Sequence, residues 1–254
     1  MNTFWNFFKK KQIAQELPPF NLSDLIKVDM HGHLLPGIDD GAQTMEESIN
    51  LIKGLINLGY SKVFCTPHVM FDFYKNSTET ILDSLKKLQE ELQKRGIQIP
   101  IEVSAEYYFD EELFNRVKKN DILSFGPDNY LLFEFSYFNE HQGIFDAVTD
   151  MIQAGYTPVL AHPERYPYYV AHPEKYDQLK NLGLKFQLNL LSLTGYYGES
   201  ALYGSKYLIN KEYIDFIGSD IHKESQIIEL EKSLKTNHIH QLIDSKKLLN
   251  YTLE

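Results

Sequence analysis

Short apolar runs alternate along the chain with longer segments of helical period. The apolar runs that predict strands lie at residues 26–30, 62–66, 99–105, 130–135, 157–161, 185–190 and 215–218. Apolar positions recurring about every 3.6 residues predict helices at 45–58, 78–95, 111–119, 143–154, 173–181, 200–212, 225–235 and 238–248. Such alternation indicates parallel βαβ units, and seven of them favour an α/β barrel, closed or nearly closed, with the helices outside.

Composition narrows the class of protein. A chain of 254 residues with 43% hydrophobic and 24% charged side chains is typical of a globular protein, and barrels of this size form one domain. The net charge of −10 argues against nucleic-acid binding, because phosphate backbones are held by basic patches. A single Cys excludes a disulfide framework and a multi-cysteine zinc module. No apolar run approaches the ~18 residues that a membrane span needs.

The N-terminal segment combines aromatic residues with lysines in the sequence MNTFWNFFKKKQ. A signal peptide has its charges before the apolar core and ends in small residues, whereas here the order is reversed. We therefore interpret residues 1–25 as an arm ahead of a single domain at 26–254, in a cytoplasmic protein. The arm is expected to pack on the protein or on a neighbouring subunit, and the alternative is a membrane-surface contact.

Side chains that bind metals follow nearly every predicted strand. They are His31, His33, His68, Glu106, Glu134, His162, Asp220 and His222. The carboxyl ends of parallel strands meet on one face of an α/β barrel, so these groups are predicted to share one mouth. Imidazole and carboxylate together suit Zn, Mn and Fe(II). The donors outnumber the ligands of one tetrahedral ion, so two or three ions are predicted, an arrangement that suits phosphoryl hydrolysis.

Two local patterns bear on this prediction. Glu134 stands inside the apolar run Leu131-Leu132-Phe133-Glu134-Phe135, where a buried carboxylate is costly unless a cation meets it. Asp39-Asp40-Gly41 follows the first strand and is either a simple turn or a loop over the same mouth.

A cysteine phosphatase is excluded. Such an enzyme has Arg six residues after its catalytic Cys, whereas the residue six positions after Cys65 is Phe71.

Seven motifs together resemble the PHP (polymerase and histidinol phosphatase) superfamily of phosphoesterases. They are Asp29-Met30-His31-Gly32-His33, Asp39-Asp40-Gly41, Thr66-Pro67-His68, Ala105-Glu106-Tyr107-Tyr108, Leu132-Phe133-Glu134-Phe135, His162-Pro163-Glu164-Arg165-Tyr166 and Ser219-Asp220-Ile221-His222. Within the superfamily the chain is most similar to the bacterial tyrosine-protein phosphatases of capsular and exopolysaccharide operons. The turn at 38–42 and the His-Pro-Glu-Arg-Tyr run point to that branch, and the resemblance covers roughly residues 26–250.

This resemblance implies a distorted (β/α)7 barrel with its metal site at the C-terminal ends of the strands. It implies a metal-dependent protein-tyrosine phosphatase whose substrate is the phosphotyrosine tail of a bacterial tyrosine kinase regulating capsule or exopolysaccharide synthesis. The cofactor would be two or three divalent ions, Mn²⁺ first, with Fe, Zn and Mg as alternatives. The implied ligands are His31, His33, Asp40, His68, Glu106, Glu134, His162, Asp220 and His222, with Glu106 as the bridging carboxylate.

Four residues are predicted to act on the phosphate or its leaving group. Arg165 has a planar fork for two phosphate oxygens, and His68 is a candidate to assist the leaving phenolate. Related phosphatases often have a second Arg after the Asp-x-His motif, where this chain has Lys223, which keeps the charge without the fork. Tyr166 is interpreted as lining the mouth for an aromatic substrate, and an interface in a homo-oligomer is the alternative.

Two other functions stay open from the sequence. One is a phosphatase for a small metabolite such as histidinol phosphate, which needs the same fold with a different leaving group. The other is a non-catalytic scaffold that binds a kinase. Assaying a phosphotyrosine peptide against small phosphomonoesters would separate the two phosphatases. No bound ion and no activity with added Mn would favour the scaffold.

Overall fold

The computed structural model describes residues 26–254, so the predicted arm lies outside the described residues. Within that range the strands are β1 (Val28–Asp29), β2 (Lys62–Cys65), β3 (His68–Val69), β4 (Ile101–Val103), β5 (Glu106–Tyr108), β6 (Tyr130–Glu134), β7 (Thr157–Ala161), β8 (Lys185–Asn189) and β9 (Phe216–Gly218). They form a three-stranded sheet, β1-β2-β4, and a six-stranded sheet, β3-β5-β6-β7-β8-β9. All pairings between these strands are parallel, which confirms the predicted α/β class.

Helices connect the strands much as the periodicity predicts. They are α1 (Met45–Asn57), α2 (Thr78–Lys94), α3 (Glu111–Lys119), α4 (Ile144–Gln153), α5 (Pro167–Val170), α6 (Lys175–Asn181), α7 (Glu199–Asn210), α8 (Ser225–Ser233) and α9 (Asn237–Asp244). Thr44 and Glu47 form a capping box at the start of α1, and the Asp110 side chain caps α3. None of the helices in residues 26–254 combines the length and apolarity required to cross a membrane.

Two predicted strands are each followed, after a two-residue break, by a short strand that was not predicted. Thr66-Pro67 separates β2 from β3, and Ser104-Ala105 separates β4 from β5. Pro67 has no N–H to donate, yet its carbonyl oxygen accepts a hydrogen bond from Glu106 N at 3.0 Å, so the interrupted strands stay side by side. Beyond the break β3 and β5 belong to the larger sheet, and His68 is in register with Glu106.

The ends of the first and last strands also meet. Gly32 and Ile221 form an isolated parallel bridge. His33 N donates to Ile221 O at 2.9 Å, and Asp220 N donates to His31 O at 2.8 Å. This junction places two motifs from opposite ends of the chain beside each other.

Strand periodicity explains how a carboxylate comes to lie inside the apolar interior. Successive side chains of a strand point to opposite faces. In β6, Leu131 and Phe133 belong to the larger apolar cluster, whereas Tyr130 and Leu132 belong to a smaller one with Val28, Phe64, Val159 and Phe216. Glu134 lies on the same face of β6 as Tyr130 and Leu132. It is therefore next to the smaller cluster, at the C-terminal end of the strand.

Candidate metal centre

The strand ends bring all nine predicted ligands into one cluster. Three overlapping groups have ligand atoms within 4.8 Å of one another: His33, Asp40, His68 and His222; His31, His33, Glu106 and Asp220; and His68, Glu106 and Glu134. His162 adjoins them, with its Nε2 at 3.1 Å from Glu106 Oε1 and 3.9 Å from Glu134 Oε2. Because the groups share His33, His68 and Glu106, they form a single site.

Glu106 occupies the centre of this site. Its Oε2 lies 3.3 Å from the Nε2 atoms of both His31 and His33, and 3.2 Å from His68 Nδ1. The residue is fully buried. Burial alone would raise the pKa of Glu106, but the neighbouring His31 lowers it well below its usual value, so the carboxylate is ionised.

Each histidine of the His31-Gly32-His33 motif is oriented by a second residue. His31 Nδ1 donates to Gln187 Oε1 at 3.0 Å, and His33 Nδ1 donates to Asp39 Oδ2 at 2.8 Å. Both rings therefore turn their Nε2 atoms toward Glu106. This is the arrangement in which a hydrogen-bonded imidazole binds a metal through its other nitrogen.

Asp39 shows that the Asp39-Asp40-Gly41 loop is both a turn and part of the site. Besides the bond to His33, its carboxylate accepts from Gly41 N at 2.9 Å and from His68 N at 3.0 Å. A Cβ atom at residue 41 would lie 2.2 Å from His33 O, so only glycine fits there. Asp40 next to it is half-exposed and lies 3.4 Å from His68 Nε2 and 3.5 Å from His222 Nε2.

Two buried atoms at the centre lack hydrogen-bond partners. Among the described residues, neither His68 Nδ1 nor Glu106 Oε2 makes a hydrogen bond, although they face each other. Burial and the neighbouring His33 lower the pKa of His68 to about 4, so its imidazole is neutral at neutral pH. A lone pair and a carboxylate oxygen that face one another without a proton fit a cation between them.

The charge balance of the site points the same way. Among residues 26–254, the site brings together five carboxylates, those of Asp39, Asp40, Glu106, Glu134 and Asp220, and one permanent cation, Arg165, which pairs with Asp220. Burial, Glu106 and Asp220 raise the pKa of Glu134 well above its usual value. Uncompensated buried carboxylates are costly, and the oxygen and imidazole donors present suit divalent cations. The residues therefore fit a multinuclear metal site.

Two of these residues also adopt an unusual backbone conformation. His162 and Asp220 lie in the left-handed region, with φ of 34° and 50°. Residues other than glycine avoid this region, at a cost of about 1 kcal/mol or more each. In this conformation the His162 side chain faces Glu106, and the Asp220 side chain faces His31.

Arg165 is held at the edge of the cluster by aromatic rings. Its guanidinium carbon lies 4.0 Å from the centroid of the Tyr197 ring and 4.8 Å from that of Tyr137. Its Nη1 donates to Asp220 Oδ2 at 2.8 Å, and Asn189 Nδ2 donates to the same oxygen at 2.7 Å. The side chain is 19% exposed, so the fork remains accessible from the mouth.

Of the other two predicted substrate contacts, Tyr166 lies in the wrong place and Lys223 stays a prediction. Tyr166 is 0% exposed, and its hydroxyl donates to Ala161 O and accepts from Phe135 N. The substrate contact predicted for Tyr166 is therefore contradicted, because after the tight turn Pro163–Arg165 its ring is buried against His162 and Tyr137. Lys223 is exposed beside His222 at the rim.

Sequence reasoning missed the residues that orient the predicted ones. Gln187 and Asn189 alternate with apolar side chains in β8 and point into the site, where they bind His31 and Asp220. Buried polar residues within an apolar strand are the same signal that identified Glu134. Tyr137 and Tyr197, which hold Arg165, lie in loops and carried no such signal.

Comparison with known proteins decides the family. The family model described as "Capsular polysaccharide synthesis, CpsB/CapC" matches residues 27–243. The chain belongs to the CpsB/CapC family. This confirms the branch that the motifs predicted.

Named relatives of this CpsB/CapC chain are tyrosine-protein phosphatases. YwqE of Bacillus subtilis is 27% identical over 230 residues, covering 87% of this chain and 91% of the relative. CpsB of Streptococcus agalactiae is 25% identical over 204 residues, covering 77% and 82%.

A solved structure aligns over 89% of this chain and 95% of its own, with 26% identity and a TM-score of 0.76. It comes from work on YwqE of B. subtilis and CpsB of Streptococcus pneumoniae, described there as metal-dependent tyrosine phosphatases.

Proposed function

We propose that this protein is a metal-dependent protein-tyrosine phosphatase. The observation that carries the proposal is the buried cluster centred on Glu106, whose unpartnered donors fit divalent ions in a chain of the CpsB/CapC family. The relatives named as tyrosine phosphatases supply the substrate class. A small-metabolite phosphatase and a kinase-binding scaffold remain as alternatives that the experiment below separates.

The nine clustered residues would hold two or three ions, with Mn²⁺ first and Fe, Zn or Mg as alternatives. Two divalent ions supply four positive charges. This is of the order of the negative charge left when the carboxylates of the site are set against the single positive charge of Arg165. Such ions, when bound, lower the pKa of water and neutralise phosphate charge. Glu106 would be the carboxylate shared between ions, a role supported by its membership of two of the three donor groups.

The residues at the mouth would act on the phosphoryl group itself. Arg165 presents a fork to two phosphate oxygens and offsets charge as it develops. Phenolate has a parent pKa near ~10 and leaves more readily than an alkoxide, so little general-acid assistance is needed. His68 is the residue proposed to assist the leaving phenolate. Its imidazole is neutral at neutral pH, so it would do so by hydrogen bonding and not by giving up a proton. Lys223 adds positive charge at the rim.

We also infer that the two sheets form one distorted (β/α)7 barrel. The Gly32–Ile221 bridge joins the end of the first unit to that of the last, and each interrupted strand contributes to both sheets. On this interpretation the nine strands represent seven units, with the domain spanning 26–254.

The proposed partner is the phosphotyrosine tail of a bacterial tyrosine kinase that regulates capsule or exopolysaccharide synthesis. The family description and the relatives' names support this assignment. The cytoplasmic location follows from the substrate, because a kinase phosphorylates its tail where ATP is present.

The decisive experiment compares three substrates under three metal conditions. A phosphotyrosine peptide, its phosphoserine counterpart and histidinol phosphate are assayed with Mn²⁺, after chelation, and after Mn²⁺ is restored. We expect the phosphotyrosine peptide to be turned over fastest, with activity lost on chelation and regained with Mn²⁺. Preference for histidinol phosphate would favour the metabolite phosphatase, and no turnover with no bound metal would favour the scaffold.

We predict that Cys65→Ser retains at least about half of the parent activity. Cys65 is buried in β2, and burial raises the pKa of its thiol well above the usual value, so no thiolate nucleophile is available. The measurement is kcat/KM on the phosphotyrosine peptide, together with mass spectrometry for a phosphocysteine adduct. A trapped adduct at Cys65 would overturn the mechanism.

Tyr197 is predicted to position Arg165. Tyr197→Leu removes the ring that stacks at 4.0 Å and should lower kcat/KM about fivefold, the effect of roughly 1 kcal/mol of cation–π contact. Tyr197→Phe keeps the ring and should stay near the parent value. Tyr203→Leu, at an exposed position of α7, is the matched control. Equal values for Tyr197→Leu and Tyr203→Leu would show that the stacking has no role.

A further inference from the structure

A small cavity adjoins the metal centre and has no role in the chemistry proposed above. It measures about 250 Å³ and is lined by Met70, Phe71, Asp72, Phe73, Tyr108, Asp110 and Glu111. Tyr108 follows Glu106 by two positions in β5, so its side chain points to the same side of the sheet, one step farther out. Tyr108 is also in register with Glu134. The cavity therefore begins where the cluster of predicted ligands ends.

The aromatic wall of this cavity is held in place by its backbone. Met70 N donates to Tyr74 O at 2.9 Å, which closes the loop, and Phe71 N donates to Asp110 Oδ2 at 2.9 Å. Even so, Phe71 and Phe73 are 55% and 75% exposed. Two large exposed apolar side chains on a loop with an anchored backbone form a contact surface.

The charges around the cavity indicate what it binds. Asp110 is already engaged as the cap of α3. Asp72 and Glu111 are exposed, and neither forms an ion pair or a side-chain hydrogen bond with any residue in 26–254. The Phe71 ring already has one cation near its face, Lys75 Nζ at 5.6 Å from the centroid. Apolar rings beside two unpaired carboxylates complement a side chain with an apolar stem and a cationic end.

We propose that this cavity is a specificity subsite for a Lys or Arg side chain close to the phosphotyrosine of the polypeptide substrate. The inference rests on the proposed function, because a peptide whose phosphotyrosine enters the metal centre must lay its neighbouring residues on the mouth. The basic side chain would place its stem on Phe71 and Phe73 and its charge near Asp72 and Glu111.

Matched phosphotyrosine peptides test the subsite. They carry a single Arg, Gln or Glu at each of three positions on either side of the phosphotyrosine, and p-nitrophenyl phosphate serves as a substrate without flanking residues. We expect Arg to raise kcat/KM about threefold to fivefold over Gln at one or more positions, the usual range for an exposed ion pair with a cation–π contact. Glu at the same position should lower it.

Reversing the charge of the two cavity carboxylates tests whether the preference for Arg arises at the cavity. Asp72→Lys combined with Glu111→Lys should shift the preference from Arg to Glu, measured as the ratio of peptide to p-nitrophenyl phosphate kcat/KM. Asp150→Lys, an exposed carboxylate in the C-terminal half of α4, is the control and should leave the preference unchanged. Phe73→Ser should weaken the preference, whereas Ile152→Ser, at another exposed apolar position on α4, should not.

The outcomes distinguish failure of the proposed subsite from failure of the proposed phosphatase activity. Equal turnover of Arg, Gln and Glu peptides at all six positions overturns the subsite while leaving the phosphatase intact. A preference that survives the double reversal also overturns it, because the selectivity then arises elsewhere. If the parent protein turns over none of the substrates, not even p-nitrophenyl phosphate, the proposed function is instead contradicted.

Discussion

Replacing His31 and His33 together by Ala is expected to lower kcat/KM on a phosphotyrosine peptide at least about a thousandfold, or roughly 4 kcal/mol of barrier. The two imidazoles supply Nε2 atoms within 3.4 Å of both Glu106 and Asp220, and His33 belongs to two of the three donor groups. Removing them should release bound metal. Elemental analysis after gel filtration measures that loss independently of activity.

Folding must be checked in the same variants, since both histidines are fully buried. His31→Gln keeps much of the side-chain volume and should preserve the circular dichroism spectrum while still losing metal. His172→Ala removes an exposed imidazole and should leave activity and metal content at parent values. Parent-level activity of the double variant after exhaustive chelation would refute the metallophosphatase proposal.

Arg165→Ala is expected to lower kcat/KM about a hundredfold, which corresponds to about 3 kcal/mol of transition-state stabilisation. The reason is that Tyr137, Tyr197 and Asp220 hold its fork at the mouth, where two phosphate oxygens can be bound. Arg165→Lys keeps the charge without the planar fork and should recover only part of the loss.

Measuring bound metal distinguishes a loss of phosphate binding in Arg165→Ala from damage to the metal centre. Asp220 Oδ2 retains the hydrogen bond from Asn189 when Arg165 is removed, so the metal content of Arg165→Ala should equal that of the parent. Arg95→Ala, on the outer surface beside Glu46 and Glu91, is the matched control. If Arg165→Ala works at the parent rate, phosphate orientation rests on the ions and Lys223.

The sequence predicted those parts of the fold and site that follow from local periodicity. The strand preceding each ligand could be recognised, and the C-terminal ends of parallel strands necessarily converge. Glu134 was identifiable because a carboxylate in a fully apolar run demands an explanation. The interruption at Thr66-Pro67 was marked by proline, whereas that at Ser104-Ala105 contains no residue that breaks a strand.

Other parts depend on contacts between distant segments. Tyr197 reaches Arg165 from the loop after β8, and Asp39 reaches the backbone of His68 from another loop. Neither contact leaves a period or spacing in the sequence. Tyr166 shows the opposite error: it adjoins Arg165 in sequence, but its ring is fully buried whereas the Arg165 side chain is partly exposed.

The junction between the first and last strands has a consequence for the order of folding. Ser219 N donates to Asp29 Oδ1 across 190 residues of sequence, and the adjoining Gly32–Ile221 bridge sets His31 beside Asp220. Contacts of such separation carry a large loop-closure cost and form late. We therefore expect a nascent or truncated chain to gain its helices and central strands while still unable to retain metal. High-affinity metal uptake would then report completion of the entire domain during biosynthesis.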